Sequence, residues 1–391
     1  LSYLKFSADQ IFTGTELRSD QSVLITDNKG IVLDIVAIEN AGDDVQLYQG
    51  IISPGFVNAH CHLELSHMKG LIPEHTGLTN FILKIVNERH FPDDEILVAI
   101  AKAEDEMIAN GIVAVGDICN NTLTIGQKKL DRLTYYNFIE VSGWKPEIAL
   151  QRYHRSIDIF NEYKTQIPNS TTSLTPHAPY SVSNKLWEML IPNFVGNTVT
   201  IHNQETKAED DLFTTGTGDF IGMYEAMNIN QAHFTATGKS SLQSYFVKLN
   251  SAKNKLLVHN TNTTENDIAF ASANSRETFF CLCPNANLYI ENSLPPIDLL
   301  RKCQSNIIIG TDSLASNHSL SILDELKTII KNFPSIPLEE ILQWSTLNGA
   351  RALQMDDTIG SFEKGKKPGV ILLQGSVSTT INDDTIVRRL I

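Results

Sequence analysis

The chain has 391 residues, 42% hydrophobic and 19% charged, enough to bury a sizeable core as one large domain with an accessory piece. Its 31 lysines and arginines against 45 acidic residues give a formal charge of −14, and no dense basic run is present to track a phosphate backbone, which argues against a nucleic-acid polymer as partner. Cys61, Cys119, Cys281, Cys283 and Cys303 are an odd, scattered set that reads as reduced thiols; with no signal segment and no apolar run of membrane-spanning length, the expected setting is the cytoplasm, away from membranes.

Before residue 50 the pattern is β-like, with runs at 22–25 and 31–38 flanking the polar turn Asp27-Asn28-Lys29-Gly30, a hairpin signal. From there short apolar runs alternate with longer helical patterns, the sign of repeated β-α units and a parallel sheet. The expected strands are 51–57, 112–115, 134–140, 171–175, 198–201, 256–258, 279–282 and 307–309. Between them apolar residues recur at three and four spacing, as in Ile96, Ile100, Ala103, Met107 and Ile108, or Ile322, Leu323, Leu326, Ile329 and Ile330. Segment 206–255 is the longest departure from the rhythm, an insertion between the fifth and sixth strands placed to cover a site there. The last thirty or so residues return to β patterning at 370–373 and 386–391. Eight strands with interleaved helices favour an α/β fold of the (β/α)8 TIM-barrel kind over an open doubly wound sheet. The expected division is a barrel over 54–360 and a small β-sandwich domain assembled from 1–53 and 361–391.

The polar residues sit at the C-terminal ends of these strands, the face on which barrel enzymes build their sites. The first strand runs into His60-Cys61-His62, the fourth into His177, the fifth into His202 and Glu205, the sixth into His259 and the eighth into Asp312. In extended chain His60 and His62 point the same way, and Cys61 points opposite to them. With His202 and Asp312 they form a nitrogen and oxygen set suited to one divalent ion, zinc, iron(II) or manganese, with room left for water. Such an ion acidifies its water, and a carboxylate must then take the proton and deliver it to the leaving group. Glu205, three residues past a proposed ligand, is placed for that work, while His259 could polarise the attacked carbon or hold the attacking hydroxide. Taken singly, a histidine after a strand is commonly a hydrogen-bonded core or surface residue, and a carboxylate before a helix commonly caps it. Agreement among five strand ends is what separates this set from that reading. Cys281 and Cys283 lie on an apolar strand with Phe279, Phe280 and Leu282 and are assigned to packing. No G-x-G-x-x-G or phosphate-loop pattern occurs, which disfavours a dinucleotide-dependent enzyme.

The segments Pro54-Gly55-Phe56-Val57-Asn58-Ala59-His60-Cys61-His62, Pro176-His177-Ala178-Pro179-Tyr180-Ser181, His202-Asn203-Gln204-Glu205, Val258-His259-Asn260, Cys283-Pro284-Asn285-Ala286-Asn287 and Gly310-Thr311-Asp312-Ser313-Leu314-Ala315-Ser316-Asn317 resemble, in order, the motif series of the amidohydrolase superfamily. The likeness covers nearly the whole chain, since 360–366 is similar to the family's return to its small β domain. Within the superfamily the sequence is most similar to the branch holding adenosine-type nucleoside deaminases, guanine deaminase and the triazine hydrolases. The stretch His62-Leu63-Glu64-Leu65-Ser66 looks closest to the aminofutalosine deaminases and uncharacterised relatives, and the Trp-rich segment with which the related nucleoside deaminases reach the ribose has no counterpart at 76–90.

The resemblance implies that His60, His62, His202 and Asp312 hold one metal ion, zinc by preference, that Glu205 shuttles protons with His259 and Asp312 as its catalytic companions, and that His177 touches the substrate ring. Glu64 and His67 are candidate substrate contacts beside the first motif. The third strand ends at Glu140 and the fourth at His177, with no lysine to carry a carbamate, so a mononuclear site is implied. The expected reaction is hydrolytic deamination of an amino-substituted purine, nucleoside or related ring, aminofutalosine among them. Loss of another group, as in a chlorohydrolase or cyclic amide hydrolase, is the alternative within the same chemistry, and a non-catalytic scaffold is the alternative of another class. The expected partner is a small-molecule substrate, and the commonest assembly for such an enzyme is a homodimer.

Overall fold

The computed structural model describes residues 3–375 and 379–391, so that 1, 2 and 376–378 of the expected terminal domain lie outside the described residues. Eight parallel strands carry the centre of the chain: β1 (Phe56–Cys61), β2 (Ile112–Cys119), β3 (Thr134–Val141), β4 (Thr171–Pro176), β5 (Thr198–Asn203), β6 (Asn254–His259), β7 (Thr278–Leu282) and β8 (Asn306–Ile309). They form two four-stranded ladders in chain order, β1 to β4 and β5 to β8, with every pairing parallel. Both edges of the two ladders meet. On one side Cys61 bridges Asp312, and the N–H groups of Thr311 and Asp312 donate to His60 O at 3.0 and 3.1 Å. On the other, His202 N donates to His177 O at 3.0 Å and Thr200 N to Thr175 Oγ1 at 2.9 Å.

The expected α/β class with parallel strands is present, and strand burial explains why it was readable. Strands β1, β5, β6 and β7 are buried along their whole length, so they read as unbroken apolar runs rather than as alternating ones. Their inner faces pack together: Val57, Ala59, Ala114, Ile118, Tyr136, Phe138, Leu256, Val258, Cys281 and Ile308 share one apolar cluster although they come from both ladders. Their outer faces meet the helices, among them Ile100 and Met107 of helix Asp93–Ala109 and Leu326 and Ile329 of helix Ile322–Asn332. Acidic Asp93, Asp94 and Glu95 in the first turn of the former face the positive end of its dipole, and the Ser321 hydroxyl caps the latter by accepting from Asp324 N. Cys281 and Cys283 both lie in the inner cluster, and all five thiols are unpaired. No helix among the described residues is long and apolar enough to cross a membrane.

The first expected strand is not one strand. Run 51–57 is divided at Gly55 into Ile51–Pro54, which belongs to a separate five-stranded sheet, and β1. A Cβ on Gly55 would lie 2.3 Å from Val113 Cγ1, so only glycine passes this corner between sheets. A continuous apolar run carries no signal of such a change of sheet. The five-stranded sheet is ordered Ile386–Arg389, Val370–Gln374, Ile51–Pro54, Gln10–Phe12 and Leu17–Arg18, joining both ends of the chain. The expected hairpin is present as Ser22–Asp27 against Val32–Ala37, its turn held by Asp27 Oδ1, which accepts from Lys29 N and Ile31 N at 2.9 Å each. It forms a second sheet with Tyr3–Ser7 and Gln46–Leu47, and residues of both sheets meet in one cluster that includes Phe6, Leu24, Ile11, Ile52 and Leu372.

Gly310, just past β8, has its backbone against β1: a Cβ there would stand 2.8 Å from His60 Cβ, 2.9 Å from His60 O and 3.0 Å from Cys281 Sγ. Two of those contacts are with a rigid strand end, so Gly310→Ala is expected to destabilise the protein by about 1–3 kcal/mol through overpacking. Urea unfolding monitored by circular dichroism reads this directly, and an unchanged midpoint would show that the seam between β8 and β1 yields.

Candidate metal centre

Strand direction brings the predicted residues to one end of both ladders. His60 lies on β1 and His62 just beyond it, His202 lies on β5, and Asp312 lies three residues past β8. The Nε2 atoms of His60 and His62 are 3.2 Å apart, those of His62 and His202 3.3 Å. Asp312 Oδ1 stands 3.3 Å from His62 Nε2 and 3.6 Å from His60 Nε2. Ligands about 2.0–2.1 Å from one ion at tetrahedral angles lie about 3.3–3.4 Å from one another, and the separations of 3.2, 3.3, 3.3 and 3.6 Å are close to that. All four residues are buried.

The electrostatics agree with that geometry. Burial holds His60 and His62 below the ordinary histidine value, and burial with the neighbouring His177 and His62 takes His202 down to about 4, so the three rings are neutral and able to present lone pairs. Burial alone would raise Asp312, but His60, His62 and His259 outweigh it and keep the carboxylate ionised, well below its usual range. Orientation is fixed from behind. His202 Nδ1 donates to His177 O at 2.8 Å, and because a carbonyl can only accept, Nε2 of that ring is left to face the cluster. Asp312 Oδ2 accepts from Ser316 Oγ at 2.5 Å.

Glu205 and His259 stand beside the four. Glu205 is almost fully buried, with Oε1 3.6 Å from His259 Nε2. Burial raises its carboxyl well above the ordinary value, with Asp312 and Glu209 adding to the effect, which makes it a stronger base than an exposed carboxylate. Asn287 Nδ2 lies 3.2 Å from His259 Nδ1, which places the ring proton on Nε2, toward Glu205. Several side chains here leave the strands on strained backbone: Gln204, His259, Asn260 and Asp312 all have positive φ. Asn260 is held there by its amide, which donates to Leu257 O and Cys281 O, and by Asn203 Nδ2, which donates to its Oδ1.

His177 lies tilted against His202, ring centroids 4.8 Å apart at 45°, its Nδ1 2.7 Å from Ser181 Oγ. Glu140, at the end of β3, lies 3.6 Å from His202 Nδ1; burial pushes it up, but His177, His202 and His62 outweigh that and hold it at about 2. Glu140, His177 and His202 also bring ligand atoms together, yet the hydrogen bond from His202 Nδ1 to His177 O leaves that imidazole to the first cluster. Asn120 ties two carboxylates, its side chain donating to Glu140 Oε2 at 2.9 Å and its backbone N–H to Glu64 Oε2 at 3.0 Å. Burial raises Glu64 to about 7. His67 is not brought to the cluster: its Nε2 meets Arg89 O at 3.0 Å and its ring packs on Phe91. Sequence reasoning passed over Asp117, Asn120 and Lys128; ending the second strand at residue 115 rather than Cys119 hid the first two, which follow the same strand-end rule as the ligands.

The insertion folds as helices Lys207–Thr215, Asp219–Ala226 and Ser241–Tyr245. Leu212, Phe220 and Tyr224 from it share an apolar cluster with Trp144, Tyr180 and Ala315, which follow β3, β4 and β8. The insertion thus packs at the same end of the strands as the His60, His62, His202 and Asp312 cluster.

The amidohydrolase family profile matches residues 51–388. An adenosine deaminase of Helicobacter pylori is 24% identical over 323 residues, covering 81% of this chain and 77% of that one. A 5-methylthioadenosine/S-adenosylhomocysteine deaminase of Saccharophagus degradans is 24% identical over 361 residues, covering 85% and 73%. The crystal structure of aminofutalosine deaminase from Helicobacter pylori superposes with a TM-score of 0.81 at 20% identity over 97% of this chain and 94% of that one.

Glu325 supports this end of the fold: it is fully buried, with Oε1 accepting from Asn317 Nδ2 at 2.8 Å and Oε2 from Asn285 N at 2.9 Å. Burial pushes its carboxyl up to about 8, so folding favours the protonated form. Its contribution is full below the unfolded value of about 4.5 and is lost as pH rises toward about 8. Urea unfolding at about pH 5 and about pH 8 is expected to show a larger loss of stability in the native chain than in Glu325→Gln; parallel losses in the two would show that Glu325 stays ionised.

Proposed function

The chain belongs to the amidohydrolase family and is a metal-dependent hydrolase, and we propose that it removes ammonia hydrolytically from an amino-substituted purine, its nucleoside or a related heterocycle, aminofutalosine included. The observation that carries this reading is the convergence of three imidazole Nε2 atoms and one carboxylate oxygen next to the buried carboxyl of Glu205. His60, His62, His202 and Asp312 would hold the ion, and their nitrogen and oxygen donors suit zinc, with iron or manganese as alternatives. When bound there, the ion supplies Lewis acidity that makes a water molecule a nucleophile near neutral pH.

The remaining work falls to side chains. Glu205 accepts the proton of the attacking water and places it on the ring nitrogen next to the attacked carbon. The carbon–amine bond then breaks once Glu205 has moved the second proton to the amine, which leaves as ammonia while the ring keeps the oxygen as a carbonyl. His259 donates from Nε2 to the incoming oxygen, and Asp312 orients it. His177, edge-on to Tyr180 at 6.0 Å, stands where it would contact the ring, and Glu64 offers a further polar contact. The structural neighbours and the two bonded ladder edges support reading 54–360 as a closed (β/α)8 barrel, with 1–53 and 361–391 as its small β-sandwich domain.

Ammonia release from a panel of aminopurines, aminopyrimidines, their nucleosides and aminofutalosine, run on metal-analysed protein, tests the proposal. One member is expected to react, and Glu205→Gln is expected to lower turnover by about 10²–10⁴-fold while retaining its metal. Full activity in that variant would remove Glu205 from the mechanism. Silence across the panel with stoichiometric metal would move the assignment to another leaving group, and silence with no metal would favour a scaffold.

A further inference from the structure

Behind β1 lies a charged pair that the reaction does not use. Lys128, at the end of the short helix Ile125–Lys128, and Asp117, on β2, have side chains with no solvent exposure, and Lys128 Nζ is 2.5 Å from Asp117 Oδ2. The other donors of the ammonium are also satisfied, by Asn137 Oδ1 at 2.8 Å and Cys119 Sγ at 3.3 Å, and the charge lies over the rings of Tyr135 and Tyr163. A buried pair of this kind contributes little net stability, since taking both charges out of water offsets most of their attraction and apolar residues of similar volume serve as well. Its geometry gives it a different use.

The ladder between β1 and β2 is irregular where the histidines stand. Asn58 is opposite Val115 and Cys61 opposite Asp117, so two residues of β1 lie where β2 has one. The extra residue falls within Ala59–His60, directly before the segment that carries His62. Past Cys61 the ladder stops. Two residues on, the N–H of Leu63, immediately after His62, donates to Asp117 Oδ1 at 2.9 Å. A side-chain carboxylate thus takes over from the ladder at the point where the metal residues leave it, and Lys128 fixes that carboxylate by its other oxygen.

We propose that Asp117 and Lys128 form a positioning site for the metal centre, in which the bond from Leu63 N–H to Asp117 Oδ1 holds the His60–His62 segment in ligating geometry. The proposal rests on the reading of His60, His62, His202 and Asp312 as metal ligands. It concerns the acceptor at Asp117 and not the charge, and the two can be separated by paired substitution. In Asp117→Asn with Lys128→Met the buried charges are gone but an amide oxygen remains for Leu63 N–H. In Asp117→Leu with Lys128→Met the shape is kept and the acceptor is lost.

The experiment is zinc affinity of the metal-stripped protein, read by competition with a chelating indicator, with thermal unfolding of each apo variant alongside. The asparagine pair is expected to bind zinc within about 3-fold of the native chain, and the leucine pair about 10–100-fold more weakly, as for loss of an outer hydrogen-bond partner in other metal sites. Leu63→Pro, which deletes the N–H itself at the first position of a helical turn where proline is tolerated, is expected to weaken zinc to the same degree and carries the test if the leucine pair fails to fold. Native zinc affinity in a folded leucine pair or in Leu63→Pro would overturn the proposal, as would equal weakening in both pairs. Failure of the native chain itself to bind zinc would instead overturn the metal-centre reading on which the proposal stands.

Discussion

Three uncharged imidazole nitrogens and a carboxylate oxygen, turned toward a common point where water is largely excluded, are the constraint to which the surrounding structure answers. Lone pairs at 3.2 and 3.3 Å repel one another, and low polarity strengthens that repulsion. Nothing local to any of these residues makes the arrangement favourable, so it has to be imposed from outside and is relieved by a cation. The imposition is visible at each residue: a backbone carbonyl fixes the His202 tautomer, a serine hydroxyl holds Asp312, and positive φ at Asp312 and His259 turns their side chains inward from strand ends. Strain of this sort persists only where neighbours over-determine it, and the buried amides of Asn203, Asn260 and Asn317 do so.

The same constraint explains what could be read from sequence. Strands buried on both faces appear as apolar runs, and polar residues that interrupt their C-terminal ends stand out against them; this is how His60, His62, His202, Glu205, His259 and Asp312 became visible together. Asp117 obeys the same rule and was passed over because Gly116 made the second run seem to stop early. Lys128 has no such signal, because a lysine's burial depends on partners brought from other strands. The division of 51–57 at Gly55 was likewise hidden, since both halves are apolar for different reasons, one inside the terminal sheet and the other inside the ladder.

Around the metal residues the fold separates two kinds of environment. Toward the strands, polar groups are tied to one another: Asn120 joins Glu64 to Glu140, and Glu325 joins the segments after β7 and β8. Toward the insertion the surface is aromatic, with Trp144 stacked on Tyr224 at 5.2 Å and Tyr180 tilted against Phe220 at 4.2 Å. A flat, polar-edged ring suits a boundary between two such surfaces, since one supplies apolar faces and the other directed hydrogen bonds.

His177 has two roles in the proposed reaction, its ring contacting the substrate and its backbone oxygen accepting from His202 Nδ1. Every amino acid carries that oxygen. The side chain at this position is therefore free to be exchanged, while the main chain goes on holding the His202 imidazole unaltered. In the proposed reaction, selectivity and metal binding meet at one residue and yet can be inherited separately.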